Sequence, residues 1–238
     1  MTAFEGLPGA VAVSRLRVYD WPAEDGLRGG TPHVHLTCSE AYVAVSGSGS
    51  VQTLTTSGFR QIPLAPGALV PFTPGTIHRL VNDGGLSIVV LMENSGLPEA
   101  GDAVLTFPPD TVADLGRYRA AAALPGDGTE DEQARAARTR RDLAVQGFLA
   151  LRRATEAGDP GPLDAFHRAA AELVRPWTGD WRERRLRGAA AASEATGRQL
   201  DALARGDAGH LRDARVHAQQ PSAHGRFGMC GRLDGYRG

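Results

Sequence analysis

The sequence GTPHVHLTCSE at residues 30–40 decides both the fold and the candidate site of this chain. His33 and His35 are two residues apart in a segment with strand character, and alternate side chains of a strand share a face. The two imidazoles are therefore predicted to point the same way. Glu40 begins the apolar run AYVAV, where a carboxylate would be out of place in an ordinary core strand.

A second stretch, GALVPFTPGTIHRLVN at residues 67–82, adds a third histidine. The Pro74-Gly75 pair predicts a turn that presents His78 at the start of a strand. Neutral imidazoles and one carboxylate suit Fe(II), Mn(II), Ni(II), Co(II), Zn(II) or Cu(II), and the donor types alone do not choose among these ions. The predicted ligands of one divalent metal ion are His33, His35, Glu40 and His78.

The chain changes character near its middle. Short β-branched or apolar runs bounded by Gly, Pro, Asn or Asp fill the first half and predict a sandwich or barrel. After Pro125-Gly126-Asp127-Gly128 the residues are mainly Ala, Arg, Leu and Glu, with apolar positions at helical spacing. We predict a β-domain over residues 1–110, a linker over 111–129, about three helices over 130–216 and a glycine-rich, irregular tail over 217–238.

Composition excludes several classes of function. All 26 basic residues are arginine, so Schiff-base catalysis and a P-loop, which both need lysine, are excluded. No stretch approaches the ~18 apolar residues of a membrane helix, and the N-terminus lacks the pattern of a signal peptide. Two cysteines are too few for a disulfide framework, which makes the cytoplasm the expected location.

Arginine is concentrated in the second half of the chain. Residues 116–238 contain 21 Arg against 16 acidic residues, whereas residues 1–115 contain 5 Arg against 11. These arginines alternate with acids on predicted helices, and aromatic residues are sparse. A solvated helix surface is therefore expected, not a nucleic-acid-binding tail.

The two histidine-containing stretches resemble the two sequence motifs of the cupin superfamily. The first motif is matched here by Gly30, His33, His35, Glu40 and Gly47, and the second by Gly67, Pro74-Gly75, His78 and Asn82. The spacing departs from the family in two places, because His33 follows its glycine closely and no residue separates Pro74 from Gly75. The resemblance covers residues 10–107 and implies a double-stranded β-helix, or jelly-roll, barrel around the metal, followed by an α-helical region.

Other chemically active side chains are weaker candidates. Tyr42 shares strand parity with Glu40, so it is predicted to face the interior, either to bind substrate or to pack in the core. Glu40 and Tyr42 are the candidate catalytic residues. The thiols Cys38 and Cys230 are expected to be structural, as are the C-terminal histidines, which lack zinc-finger spacing.

The resemblance leaves three functions open. The first is a metal-dependent oxidoreductase of the dioxygenase type, whose substrate carries adjacent oxygens. The second is a metal-dependent isomerase or epimerase for a sugar or other hydroxy-carbonyl compound. The third is a non-catalytic cupin that binds a small molecule. The expected partners are a small molecule and a second copy of the chain in a homodimer, without nucleic acid or membrane.

Overall fold

The computed structural model describes residues 7–236. The strands are β1 (Ala12–Val18), β2 (His33–His35), β3 (Glu40–Thr55), β4 (Gly58–Leu64), β5 (Leu69–Phe72), β6 (Ile77–Met92), β7 (Ala103–Leu105), β8 (Ala223–Phe227) and β9 (Gly231–Gly235). The helices are α1 (Pro109–Val112), α2 (Leu115–Ala122), α3 (Glu130–Glu156), α4 (Gly161–Val174), α5 (Thr178–Arg185) and α6 (Ala191–Ala204). A π-turn, Leu186–Ala190, joins α5 to α6. None of the described helices combines the length and apolar character needed to cross a membrane.

All strands pair antiparallel, and the two long strands β3 and β6 run through the whole barrel. The first part of β3 lies between β5 and the end of β6, and its last part lies between β4 and the start of β6. The pairing of β3 with β6 shifts register between Ala44 and Gly49. A Cβ on Gly47 would lie 2.2 Å from the carbonyl oxygen of Gly85, so the two strands meet here at a distance that only glycine permits.

The two ends of β6 pair with different strands, which divides the barrel into two halves. Its start pairs with β2, which in turn pairs with β7, and its end pairs with β1. The predicted fold class is thus confirmed, with an antiparallel sheet in the N-terminal half and helices after it. His33, His35 and His78 lie in one half of the barrel, and Glu40 lies in the other.

The prediction of an irregular tail over residues 217–238 is corrected by the structure. Residues 223–235 form a hairpin, and β9 pairs with β1 at the edge of the barrel. A Cβ on Gly231 would lie 2.1 Å from the carbonyl oxygen of Arg17, so glycine allows the close approach of the two strands. Arg17 also binds both carboxylate oxygens of Asp234, at 2.7 and 3.0 Å. Residues 1–6 and 237–238, at the outer ends of the predicted units, lie outside the described part.

The predicted linker over residues 111–129 is also corrected, because much of it is helical. Helix α2 begins after Asp114, whose carboxylate accepts a hydrogen bond from the backbone N–H of Arg117. Residues 113–114 and 123–129 lack regular structure, and Thr129 then caps α3 in a capping box with Glu132. Short helical turns of this kind lack the long apolar periodicity that reveals helices in a sequence.

One hydrophobic core joins the barrel to the helices. Buried side chains of β1, β3 and β6 belong to the same cluster as Phe148 of α3, Phe166 of α4 and Trp181 of α5. Helix α3 touches the chain after β7 directly, since a Cβ on Gly147 would lie 2.0 Å from the carbonyl oxygen of Thr106. The Thr106 hydroxyl donates a hydrogen bond of 2.8 Å to the carbonyl of Ala144. The helical region is therefore packed on the barrel.

Candidate metal centre

The structure brings the four predicted ligands into one buried cluster. One donor atom from each of the four side chains lies within 4.8 Å of all the others. The register of β2 with β6 places His33 opposite His78, and their Nε2 atoms are 3.1 Å apart. Glu40 Oε2 lies 3.1 Å from His78 Nε2 and 3.4 Å from His35 Nε2. All four residues are at most 5% exposed.

Each imidazole of the cluster is oriented by a contact on its other nitrogen. Every one of these contacts is to an oxygen that accepts, which assigns a proton to Nδ1 of each ring and turns its Nε2 atom towards the cluster. The three contacts are His33 Nδ1 with Thr31 O (2.9 Å), His78 Nδ1 with Thr76 O (3.0 Å) and His35 Nδ1 with Asp102 Oδ2 (3.0 Å). Burial, followed by the nearby His78 and His35 imidazoles, holds the pKa of His33 well below its usual value, which keeps that ring neutral.

This arrangement fits a divalent cation. The Nε2 atoms of the three rings and the Oε2 atom of Glu40 face one another in one buried space. His35 Nε2 and Glu40 Oε2 are buried without a hydrogen-bond partner among the described residues. Neighbouring ligands of an ion bound at ~2.0–2.2 Å would be about 3.0–3.4 Å apart. Three pairs of donor atoms, His33–His78, His78–Glu40 and His35–Glu40, have this spacing, at 3.1, 3.1 and 3.4 Å.

Asp102 is part of the centre, although the sequence analysis missed it. Its Oδ2 accepts the hydrogen bond from His35, and its Oδ1 accepts from the backbone N–H and hydroxyl of Thr37 at 2.8 and 2.6 Å. Burial opposes ionisation of this carboxyl, but the bonds from His35 and Thr37 outweigh it, and the pKa of Asp102 is lowered. A carboxylate behind a ligand histidine fixes the tautomer and the direction of the ring. Asp102 ends a π-turn 67 residues from His35, and no local sequence pattern marks it.

A cavity of about 360 Å³ opens onto the cluster. Its wall is largely apolar, and it is completed by residues of the C-terminal hairpin and by Arg140 of α3. The residues that line it besides the ligands include Leu16, Tyr42, Val90, Met92, Glu99, Arg140, Phe227, Met229, Cys230 and Leu233. The hairpin that the sequence analysis took for an irregular tail therefore forms one side of the cavity.

Tyr42 lies where strand parity predicts, in the interior beside the cluster. It is 1% exposed, and the centroid of its ring is 6.0 Å from that of His78. Burial, followed by the nearby Glu40 carboxylate, raises the pKa of Tyr42 well above its usual value. The hydroxyl therefore stays protonated and can donate a hydrogen bond into the cavity.

The remaining candidates lie outside the donor cluster. Cys38 is buried against Thr37. Cys230 lines the cavity but lies on the Nδ1 side of His33, at 3.9 Å, and both thiols are free. His217 and His224 are exposed.

Two residues next to His78 in the second motif serve the fold. The side chain of Asn82 donates to the carbonyl of Val18 and accepts from the N–H of Leu86, each at 3.0 Å. Arg79 points away from His78 and forms an ion pair with Asp25 at 2.5 Å. Both residues are buried, and both join β6 to other parts of the chain.

The solved structures to which this chain is similar cover less than half of it. No family model and no curated protein matches the chain. A conserved double-stranded β-helix protein from Klebsiella pneumoniae shares 18% identity over 35% of this chain and 64% of its own, with a TM-score of 0.27. The Streptomyces nucleoside dehydratase Pac13 shares 19% identity over 43% of this chain and 73% of its own, with a TM-score of 0.31. WlaRA, a TDP-fucose-3,4-ketoisomerase from Campylobacter jejuni, shares 16% identity over 38% of this chain and 64% of its own, with a TM-score of 0.30.

These overlaps leave more than half of the chain unmatched, and such TM-scores carry no argument about activity. The neighbours are double-stranded β-helix proteins, as the two motifs lead one to expect. The antiparallel strand pairing and the convergence of both motifs on one buried cluster are observed in this chain itself.

Proposed function

We propose that His33, His35, Glu40 and His78 hold one divalent metal ion, and that the protein is a metal-dependent enzyme of the dioxygenase type. The observation that carries this proposal is the convergence of four potential donor atoms, one from each side chain, all buried and within 4.8 Å of one another. A bound ion of this kind supplies Lewis acidity and a centre for oxygen activation. The substrate is a small molecule with adjacent oxygens.

The cavity supports a substrate with a mainly apolar body. Leu16, Val90 and Met92 line it on the barrel side, and Phe227 and Leu233 line it on the hairpin side. A volume of about 360 Å³ is at the small end of the range of ligand pockets, ~300–1,000 Å³. These side chains exclude water from the space beside the cluster and leave few polar groups to bind a sugar.

Tyr42 and Glu40 have separate roles in this proposal. The Tyr42 hydroxyl stays protonated, so it orients a substrate oxygen by donating a hydrogen bond. Glu40 is a ligand first, and its Oε2 faces the Nε2 atoms of both His35 and His78. A proton taken from the substrate would be held by this carboxylate.

The isomerase or epimerase remains the second candidate because of the Glu40–Tyr42 pair. A carboxylate and a protonated hydroxyl on one face of β3 are the acid and base that proton transfer beside a carbonyl requires. A binding protein without turnover would use the same cavity. These alternatives differ from the first proposal in their need for oxygen.

Metal analysis is the first test. Wild-type protein purified without added metal should contain close to one divalent ion per chain, measured by inductively coupled plasma mass spectrometry. His78→Ala should lose the ion, whereas His217→Ala, an exposed histidine outside the cluster, should keep it. Wild-type protein that holds no metal and cannot be loaded would contradict the proposal.

Oxygen consumption is the second test. The metal-loaded protein is screened against catechols, 2-hydroxy acids and 1,3-diketones with an oxygen electrode, in air and under nitrogen. We expect turnover with oxygen uptake in air and none under nitrogen. Turnover that continues under nitrogen would exclude the dioxygenase and support the isomerase.

A further inference from the structure

The wall of the metal cavity contains one buried guanidinium, that of Arg140 on α3. The residue is 8% exposed and lines the same cavity as His33, His35 and Glu40. Its terminal nitrogens donate to the carbonyls of Gly228, at 2.7 Å, and of Ala122, at 3.3 Å. Its Nε is buried without any partner among the described residues. A guanidinium has five N–H donors, so more than half of its donor capacity is unused.

Arg140 also lacks a counter-charge. Two other buried arginines of the chain are paired, Arg79 with Asp25 and Arg141 with Asp142, and no described carboxylate lies within 4 Å of Arg140. The ionisable groups that act on its charge are those of Tyr19, Cys230 and Tyr118, and none of the three is a carboxylate. An unpaired buried charge is costly unless something completes it.

The metal centre cannot supply the missing negative charge. A divalent ion on three neutral imidazoles and one carboxylate keeps a single positive charge, and Arg140 adds a second. Glu99 is the remaining carboxylate on the cavity wall, but it is exposed at the rim and accepts a hydrogen bond from the N–H of Gly96 at 3.0 Å. The interior of the loaded cavity is therefore positive, although most of its wall is apolar.

We propose that Arg140 binds a carboxylate group of the substrate, so that the substrate is a small carboxylic acid with an apolar body and a further oxygen for the metal centre. This inference rests on the proposed function and names its class of substrate. The planar guanidinium matches a carboxylate in geometry and charge. A single arginine without other cations on the described wall suits one carboxylate better than a doubly charged phosphate.

A purely structural role for Arg140 is the competing explanation, since its bond to Gly228 holds the C-terminal hairpin. Arg141 shows what such a role looks like in this chain. It donates to the carbonyls of Trp21 and Pro22 at 2.7 and 2.9 Å, is paired with Asp142, and does not line the cavity. Arg140 differs from Arg141 because it faces the cavity and forms no ion pair with a described acidic residue.

The test compares acids with their neutral amides. Benzoate, phenylacetate and 2-hydroxybenzoate, each with its matching amide, are titrated by calorimetry into the full-length protein, with and without metal. We expect wild type to prefer acids over amides by about 10- to 100-fold. Arg140→Gln should abolish this preference, Arg140→Lys should keep part of it, and Arg135→Gln, an exposed arginine of the same helix, should leave it unchanged.

A change in shape of the cavity would weaken acids and amides alike, so the ratio separates binding from a structural role. If Arg140→Gln does not fold, two other measurements test the inference. Arg140→Lys should keep part of the preference for acids. The ¹⁵N resonance of Arg140 Nε in wild type should shift with acids and not with amides. Equal binding of acids and amides by wild type would overturn the inference, as would no binding of any acid up to about 10 mM. Metal content measured on the same samples tests the proposed function separately.

Discussion

Replacing Asp102 by asparagine tests whether the centre depends on the group behind His35. Asp102 accepts three hydrogen bonds, one from His35 Nδ1 and two from Thr37. Asparagine has one oxygen and one NH₂ group, so it cannot accept hydrogen bonds from both His35 and Thr37. If its oxygen stays with Thr37, its NH₂ group faces His35 Nδ1. His35 must then carry its proton on Nε2, and that nitrogen is lost as a donor to the cluster.

The expected loss is large enough to measure. Changes in the partner of a ligand histidine cost ~10- to 100-fold in metal affinity, which corresponds to about 1.4–2.7 kcal/mol. The metal-free protein should lose stability as well, because hydrogen bonds to a buried charge contribute ~1.5–3 kcal/mol each. The loss of stability of the metal-free protein depends on pH. The pKa of Asp102 is depressed in the folded state, so its contribution is complete above the unfolded pKa of ~3.9 and is lost as the pH falls through the folded pKa.

Metal affinity is measured by competition with a chromophoric chelator, and stability by urea unfolding of the metal-free protein between pH 7 and acid. Asp110→Asn, an exposed aspartate on α1, is the control and should match wild type. A folded Asp102→Asn protein with wild-type metal affinity would refute the role given to Asp102. So would a stability difference that stays constant as the pH falls into the acid range.

Three further substitutions test other parts of the site. Tyr42→Phe should keep the metal and reduce turnover about tenfold, since it removes a single hydrogen bond to substrate; unchanged kcat and KM would mean that Tyr42 only packs. Gly231→Ala places a Cβ 2.1 Å from the Arg17 carbonyl oxygen and should lower the free energy of unfolding in urea by ~1–3 kcal/mol. An unchanged midpoint of urea unfolding would contradict the close approach of β9 to β1. Asp234→Asn should cost less than ~1 kcal/mol because Arg17 is half exposed. Arg17 lowers the pKa of Asp234 to about 2, so this cost should be constant above pH ~4 and disappear towards pH 2, and a cost independent of pH would exclude the ion pair as its source.

Strand alternation was enough to predict the local geometry of the centre. His33 and His35 reach one cluster because they are two residues apart on a strand, and Glu40 and Tyr42 share the next face for the same reason. The approach of His78 required the register of β2 with β6, which spans 45 residues. The sequence predicted that approach only through the resemblance of both motifs to the cupin pattern.

Asp102, Arg140 and the hairpin at residues 223–235 could not be predicted, because their roles depend on contacts between distant parts of the chain. The ion pair of Arg17 with Asp234 joins residues 217 positions apart. Strands as short and as rich in glycine as β8 and β9 have too little alternation to be told from a loop. Arg140 is one of six arginines of α3, and only packing shows that it is buried while Arg138 is exposed.

The hydrophobic core that the barrel shares with the helices limits the movement of α3 and α4 relative to the barrel. Moving α3 and α4 off the barrel would expose Phe148, Leu151 and Phe166, at ~1.5–3 kcal/mol for each side chain, and would break the Thr106–Ala144 contact. Such a movement would use up much of the ~5–15 kcal/mol that stabilises an ordinary domain. The helices therefore act as a fixed wall that supplies Arg140 and supports the C-terminal hairpin. Within residues 7–236, Glu99 is the one exposed residue of the cavity wall, and substrate entry is expected beside it.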